Sequence, residues 1–261
     1  MHDLNRPEVF SQRTAGLYHG DVSTFQRARS AEQRAERSQS ILEAAAAMLA
    51  EMPLAEISLN ELSRRVGLAK SNVLHYFESR EAVLLELVHT STREWLEDLA
   101  PALELHVEPA ADTEARITRF AEAFATSLTR HPLFCELISA QAGVLERNIS
   151  TATAIRFKRT ANADQDELAV LVSRAMPELD TRAAAVFATG AVIMAGALWM
   201  HARPTPAVVA AFDADPETRG IYDGFTDAVQ DTTHTLLTGS ITRATAESTP
   251  EHPMRRGGNT P

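Results

Sequence analysis

The sequence predicts an all-α protein, and three observations support this class. Apolar residues recur at three- and four-residue spacings, which is typical of amphipathic helices. No stretch shows the alternating pattern of a strand. Two short helical patterns meet at Gly67, within the stretch 58–85. We therefore predict an N-terminal three-helix, helix-turn-helix domain, joined by a long helix to an α-helical ligand-binding and dimerisation domain.

The composition is ordinary for a globular protein, with 44% hydrophobic and 23% charged residues among 261. The single cysteine, Cys135, excludes an intramolecular disulfide and any multi-cysteine zinc site. Charged residues such as Asp3 and Arg6 interrupt any apolar run near the N-terminus, so no signal peptide is predicted. A cytoplasmic location is therefore the default expectation.

The charge distribution is uneven. The net charge of −10 argues against nonspecific nucleic-acid binding by the whole surface. Residues 27–80 contain eight basic and seven acidic side chains, which gives this segment +1 and leaves −11 for the remainder. This pattern fits a protein that contacts DNA at one end only.

Four segments are predicted. Residues 1–30 lack helical periodicity and are expected to form a disordered arm, followed by the helix-turn-helix domain at 31–80. The ligand-binding and dimerisation domain occupies 81–238, and 239–261 form a disordered tail. Arg27, Arg29, Arg34 and Arg37 could follow a phosphate backbone or enter a minor groove; the alternative is that they are simply solvated.

The first helix is predicted from about Ala35 to Glu51. Its apolar face carries Ile41, Ala45 and Met48 and is expected to pack across the two short helices that follow.

The first short helix has Leu59, Leu62 and Val66 on one face. Ser58 precedes it, where its hydroxyl can accept a hydrogen bond from a first-turn N–H group. Gly67 is expected to end the helix, because glycine adopts a left-handed conformation at little steric cost.

The second short helix is predicted to begin near Ala69 to Ser71, with Leu74 and Phe77 pointing inward. The polar residues of its other face are Lys70, Ser71, Asn72, His75 and Tyr76. Such a helix fits a DNA major groove, with its first turn near phosphates and its exposed side near base edges. A small hairpin whose polar residues only face solvent is the alternative interpretation.

A long helix is predicted from about Ser79, with Leu84, Trp95 and Leu99 on one face and Pro101 as its end. It would connect the helix-turn-helix mechanically to the rest of the chain.

Three or four further helices are predicted in 111–203. The stretch 183–200 is 18 residues long and almost wholly apolar, which is the lower limit for a membrane span. No basic flank supports a span, so we predict burial in a core or an oligomer and no membrane association. A final helix is predicted at about 216–237.

The residues of this N-terminal region resemble the DNA-binding domain of the tetracycline-repressor (TetR) family of transcriptional regulators. The resemblance covers about 34–87 and depends on matches at 41–51, 57–58, 62, 66–67, 76–77 and 80–84. Leu54 and Leu74 depart from the family pattern.

The resemblance implies a DNA-binding regulator, commonly a repressor, that forms a homodimer through its last two helices. The dimer would bind a near-palindromic double-stranded operator and be released by a small-molecule effector that the sequence does not identify. The alternative is an all-α sensor or interaction protein that no longer binds DNA. The residues assigned to DNA binding are Arg37, Ser58, Lys70, Ser71, Asn72, His75, Tyr76 and Arg80.

The C-terminal domain is expected to enclose the effector pocket, with apolar walls and a few polar groups. The candidate ligand contacts are Trp95, Phe120, Phe124, Phe134, Gln141, Met194 and Trp199, with Phe187, His201 and Tyr222 as further candidates. No enzyme signature, metal site or cofactor is predicted, and Glu86 with His89 is interpreted as a solvated pair.

Overall fold

The computed structural model describes residues 19–220 and 224–248, with side chains described from residue 31. Within these ranges the chain is helical and contains no strand, which confirms the predicted all-α class. The helices are α1 (His19–Glu51), α2 (Leu59–Arg65), α3 (Lys70–Tyr76), α4 (Arg80–His106), α5 (Thr113–Arg130), α6 (Pro132–Ala140), α7 (Thr151–Ala175), α8 (Thr181–His201), α9 (Pro206–Ala214) and α10 (Phe225–Ser248).

Two of the predicted disordered segments are partly helical. Helix α1 begins at His19 and so includes the last twelve residues of the predicted arm, where Gln26, Arg27, Ala28 and Arg29 favour helix. Helix α10 continues to Ser248, because Ile241 is buried and Ala244 packs against the core. Residues 1–18 and 249–261, which include the rest of both segments, lie outside the described residues.

The expectation that Pro101 ends the long helix is wrong. Helix α4 continues to His106 with Pro101 inside it. Pro101 is on the exposed side, whereas Leu99, Leu103 and Val107 are buried at four-residue spacing. Burial of that face offsets the backbone hydrogen bond that proline cannot donate.

The N-terminal domain consists of α1, α2, α3 and the first turns of α4. The apolar face of α1 is buried as predicted, with Ile41, Ala45 and Met48 fully inaccessible to solvent. These residues share one core with Leu62 of α2 and Leu84 of α4.

This core also receives side chains from the C-terminal domain. Leu137 of α6, Leu145 of a π-helical turn (Gln141–Leu145) and Phe157 of α7 are buried in the same cluster. The N-terminal domain is therefore packed against the C-terminal domain and is not attached by α4 alone.

The C-terminal domain has its own core, formed by α4 to α8 and α10. Trp95 stacks on Phe134, with ring centroids 4.7 Å apart, and meets Phe124 edge-on at 5.6 Å. Burial among these apolar groups raises the pKa of the Cys135 thiol to about 12, so this cysteine is a buried small hydrophobe.

Helix α8 is the one described helix that is long and apolar enough to cross a membrane. Its small residues allow close packing inside the domain instead. At Gly196 an added Cβ would lie 3.3 Å from backbone atoms of Ile138 and Ser139, so α6 and α8 touch through their backbones. Ala184, Ala188 and Ala191 are fully buried.

The C-terminal end differs from the expected single helix at 216–237. Pro216–Thr218 form a short 3-10 turn, and α10 begins only at Phe225. Helix α9 lies between α8 and this turn and has no buried residue.

Candidate nucleic-acid interface and interior cavity

Both ends of α2 form as the sequence predicts. The Ser58 hydroxyl accepts a hydrogen bond of 3.2 Å from the backbone N–H of Glu61. Gly67 follows the last residues of α2 and begins the turn to α3. Its φ is +65°, a conformation that costs a residue with a side chain about 1–2 kcal/mol. This turn sets the angle at which α3 leaves α2.

Helix α3 presents an exposed surface, which we call the recognition face. It consists of Lys70, Ser71, Asn72, Leu74 and His75. Tyr76, at its end, is half-buried and meets His75 edge-on, with ring centroids 5.7 Å apart. These residues lie within two helical turns, and an α-helix fits the width of a major groove.

The predicted inward position of Leu74 is wrong. Its side chain is 41% exposed, whereas Val73 is fully buried. The prediction extended the helical spacing from Leu74 to Phe77, but α3 ends at Tyr76 and Phe77 has extended backbone. Phe77 therefore reaches the core from outside the helix, and Val73 supplies the inward contact from within it.

Helix α1 contributes two arginines beside α3. The guanidinium of Arg34 donates to the backbone carbonyl of His75 at 3.5 Å and lies 5.9 Å from the centre of the Tyr76 ring. Arg34 and the exposed Arg37 line a surface cleft of about 620 Å³ that His75 and Tyr76 also border. Glu36 lines the same cleft, so the two guanidinium groups leave a net positive charge of one next to the C-terminal end of α3.

Arg80, in contrast, is held inside the domain. Its guanidinium donates to the carbonyl oxygen of Leu54 and lies 3.6 Å from the Glu81 carboxylate. It orders the 3-10 turn Leu54–Glu56 against α4 and does not face the recognition surface freely.

The arginines at the end of α2 are also paired. Arg65 binds both Glu51 and Glu61, at 2.6 and 3.3 Å, and Arg64 binds Glu61 at 2.6 Å. Hydrogen bonds from these arginines lower the pKa values of the Glu51 and Glu61 carboxyls.

One contact that joins the two domains could not be predicted from the sequence. The Glu78 carboxylate, in the turn after α3, accepts hydrogen bonds of 2.8 Å from both the backbone N–H and the hydroxyl of Ser150. These bonds, led by the backbone one, lower the pKa of Glu78. Ser150 is the N-cap of α7, so a carboxylate from the N-terminal domain binds the positive end of a C-terminal-domain helix.

The C-terminal domain contains a cavity of about 560 Å³ bounded by α4, α6, the π-helical turn, α7 and α8. This volume is within the range of small-molecule sites. Its apolar lining includes Trp95, Phe134, Ile138, Phe157 and Ile193. A separate, wider groove of about 1120 Å³ lies on the outer surface between α4 and α5.

Only three of the seven proposed ligand contacts line this cavity: Trp95, Phe134 and Gln141. Phe120 and Phe124 are buried on α5, which does not border the cavity. Met194 is half-buried elsewhere on α8. The sequence could not distinguish core aromatic residues from cavity-lining ones, because both have the same helical spacing.

Trp199 does not line the cavity. Its indole N–H donates to Glu136 at 2.9 Å and Arg203 covers its ring at 3.6 Å. Of the further candidates, Phe187 is buried against Phe120, His201 is exposed and Tyr222 lies outside the described residues.

Polar cavity residues that sequence reasoning missed come mainly from α7. They include Lys158, Asn162, Asp164 and Gln165. His89, predicted to be solvated with Glu86, instead binds the buried Asp164 at 2.9 Å. The four polar residues of α7 could not be identified from the sequence as cavity residues. They lie in a mostly exposed stretch of the helix, where polar residues are typical of any solvated face.

Comparisons with known proteins agree with this architecture. Residues 41–87 match the family model for bacterial regulatory proteins of the tetR family. Residues 89–244, more than half of the chain, match the model for the tetracyclin repressor-like C-terminal domain. No curated protein matches the chain.

Several solved structures are similar to the chain. One is the fatty acid degradation regulator FadR from Bacillus halodurans, with 18% identity, 78% of this chain and 95% of that chain covered, and a TM-score of 0.48. A TetR transcriptional regulator from Rhodococcus sp. RHA1 has 16% identity, 80% and 97% coverage, and a TM-score of 0.47. The repressor AlkX from Dietzia sp. has 11% identity, 78% and 97% coverage, and a TM-score of 0.44.

The N-terminal match includes α2, α3 and the first turns of α4, and the C-terminal match extends from α4 into α10. Both domains are thus accounted for in the expected order. The chain belongs to the TetR family of DNA-binding transcriptional regulators.

Proposed function

We propose that this regulator is a repressor that binds a near-palindromic operator as a homodimer and is released by a small molecule bound in the C-terminal domain. The observation that carries the proposal is the recognition face of α3, since five neighbouring side chains project from a short helix that the core holds at its back. A cytoplasmic location accompanies this function.

The proposed DNA contacts divide into two groups. Lys70, Ser71 and Tyr76 are assigned to phosphates, together with Arg34 and Arg37 beside the end of α3. The hydroxyl of Ser58 caps α2 and retains its own proton for a phosphate oxygen.

The second group recognises bases. Asn72 and His75 are exposed and three residues apart, so both can reach the floor of one groove. Leu74, exposed between them, can contact a thymine methyl group. Arg80 is left out of the DNA-contact set, because its guanidinium is bound to Leu54 and Glu81.

Dimerisation is supported by an apolar surface on α8. Val186, Ile193 and Met200 occur at seven-residue intervals and are 51%, 68% and 62% exposed in the single chain. Burying such a stripe against a second copy would remove apolar area from water. Leu236 on α10 is also exposed, which supports the proposal that α8 and the last helix form the interface.

Two recognition helices on one symmetric dimer explain why a near-palindromic operator is proposed. A single α3 offers few base contacts, whereas two helices joined by the dimer bind with a high effective concentration. The separation of the two helices would then select DNA with half-sites one helical turn or a multiple of it apart.

The interior cavity is the proposed effector pocket, and α7 connects it to the N-terminal domain. Phe157 of α7 lines the pocket and is also buried in the N-terminal core. The Glu78–Ser150 contact holds the start of the same helix. An effector that fits the pocket better when α7 is displaced would favour a conformation with α3 wrongly placed for DNA.

Selection of bound DNA from a random pool tests the proposal. The wild-type protein should enrich a near-palindrome, and a Lys70→Ala, Asn72→Ala double variant should enrich none while retaining its helical circular dichroism. If the wild-type protein enriches nothing at low ionic strength, the repressor proposal fails and a sensor without DNA binding remains. Enrichment of a single half-site without symmetry would contradict the dimer.

A further inference from the structure

The polar groups in the effector pocket restrict the chemistry of its ligand. This inference rests on the assignment of the 560 Å³ cavity as the effector site. Three features of the lining decide it: the pairing of the charges, the direction of the hydroxyl protons and one unpaired amide oxygen.

The charged side chains that line the pocket each have a partner within the protein. Lys158 binds Glu146 at 2.7 Å, and His89 binds Asp164 at 2.9 Å. Arg93, just outside the lining, binds Glu167 and also lies 3.6 Å from the second oxygen of Asp164. A charged ligand would have to lose its hydration without gaining an unpaired counter-charge, which is unfavourable in a partly apolar site.

The hydroxyl groups that line the pocket already donate hydrogen bonds to backbone carbonyl groups. Thr92 donates to the carbonyl of Val88 at 2.6 Å, Ser139 to that of Glu136 at 2.7 Å and Thr189 to that of Ala185 at 2.9 Å. Each hydroxyl therefore offers only oxygen lone pairs to a ligand.

Gln165 of α7 carries a buried hydrogen-bond acceptor that has no donor. Its Oε1 atom is buried and accepts no hydrogen bond, although the residue lines the pocket. A buried acceptor without a donor is unfavourable, and a ligand that donates to it recovers this cost. The position that needs a hydrogen-bond donor is thus fixed on α7, the helix that carries Phe157 and begins at Ser150.

We propose that the effector is an uncharged, mainly apolar molecule carrying a hydroxyl group that donates a hydrogen bond to Gln165 Oε1. The stacked rings of Trp95 and Phe134, with Ile138 and Phe157, accommodate the apolar part. The hydroxyl is oriented towards α7. A carboxylate, an ammonium group or an ether of the same size fits this lining less well.

Binding of small probes to the full chain tests the inference, followed by the fluorescence of Trp95 and Trp199 and by calorimetry. The probes are 1-octanol, its isomer heptyl methyl ether, octanoate and octylammonium. The wild-type protein should bind 1-octanol about fivefold more tightly than the ether, as expected for one hydrogen bond. It should bind both charged probes more weakly than 1-octanol.

A Gln165→Met variant retains the size of the side chain and removes the acceptor. It should lose the preference for 1-octanol over the ether, whereas Asn162→Met, on the exposed rim of the same helix, should keep it. Tighter binding of octanoate or octylammonium, an unchanged preference in Gln165→Met, or no binding of 1-octanol would overturn the inference.

The outcome is separable from that of the proposed function. If 1-octanol binds through Gln165 but leaves operator affinity unchanged, the ligand chemistry stands and release by a ligand in this pocket fails. If the operator is bound and released by a charged compound, the repressor proposal stands and the hydroxyl inference fails.

Discussion

Lys70 illustrates how a single residue of the recognition face can be assigned to phosphate. It is the first residue of α3 and is exposed, so its ammonium group lies at the edge of the surface that enters the groove. We expect Lys70→Ala to weaken binding to all DNA sequences alike and to reduce the slope of log affinity against log salt by about 1. Tyr76→Phe should also weaken binding uniformly, through loss of a hydroxyl contact.

Filter-binding or anisotropy titrations at several salt concentrations measure these effects. Arg119→Ala, which removes an exposed positive charge from α5 of the C-terminal domain, is the control and should leave DNA affinity unchanged. A change in sequence preference in Lys70→Ala would contradict the assignment to phosphate.

Asn72 and His75 should behave differently, because base contacts carry sequence information. Replacing either residue with alanine should cost about 1–3 kcal/mol at one position of each half-site if the contact is bidentate, and little elsewhere. A scan of single base-pair changes in the selected operator measures this. A uniform loss at all positions would assign the residue to the backbone instead.

Leu74 is expected to recognise a thymine methyl group. Leu74→Ala should reduce the preference for thymine at one position, and replacing that thymine with deoxyuridine should weaken the wild-type protein by a similar factor. The two losses should not add, since both remove the same contact. Leu105→Ala, an exposed leucine at the far end of α4, is the matched control. Additive losses would show that Leu74 lies elsewhere.

At the scale of elements, the start of α7 is the part that joins the domains. Glu78→Ala removes both hydrogen bonds to Ser150, so amide exchange should become faster in the first turn of α7 and in the turn between α3 and α4. Hydrogen exchange with mass spectrometry measures both segments. Glu56→Ala, exposed on the same domain, should change neither.

The same contact has a defined pH dependence. Because the pKa of Glu78 is lowered in the folded protein, its stabilising effect is complete above the ordinary carboxyl pKa of about 4.3. It is lost as the pH falls through the lowered value, so the wild-type protein should approach Glu78→Ala behaviour only in acid. Loss of protection from amide exchange between pH 6 and 8 would contradict this assignment, because that range lies on the order of two pH units above the ordinary carboxyl pKa.

Elements whose structure depends on local signals could be predicted from the sequence. Ser58 and Gly67 fixed the ends of α2, and the spacing of Ile41, Ala45 and Met48 identified the buried face of α1. Pro101 was misinterpreted because burial of the opposite face of α4 outweighs one missing hydrogen bond. That outcome depends on tertiary packing and has no local signal.

The candidate sites show the same division. The polar face of α3 was predicted because its residues are consecutive in the chain. Phe120 and Phe124 were assigned to the pocket although α5 does not border it, since five separate segments decide which aromatic residue meets the cavity. The Gln165 acceptor was missed because its lack of a partner exists only in the folded arrangement.

For the whole molecule, dimerisation through α8 makes a direct prediction. Val186→Glu should give a monomer at micromolar concentration, because a charge in a buried apolar interface is strongly unfavourable. Operator affinity should fall with it. The matched control is Val170→Glu on α7, since Val170 is 49% exposed and Val186 is 51% exposed.

Light scattering coupled to size exclusion measures the mass of each variant. Val170→Glu should remain dimeric with an unchanged unfolding temperature. A dimeric Val186→Glu, or a monomeric wild-type protein, would exclude the α8 interface.

The core shared by the two domains limits how this regulator can be engineered. An exchange of effector modules between relatives would cut the connecting helix near Leu87, where the two family matches meet. In this protein such a cut would leave a hole where Leu137, Leu145 and Phe157 fill the N-terminal core. A functional hybrid sensor would therefore need these three side chains, and Ser150, which donates to the Glu78 carboxylate, transplanted together with the DNA-binding domain.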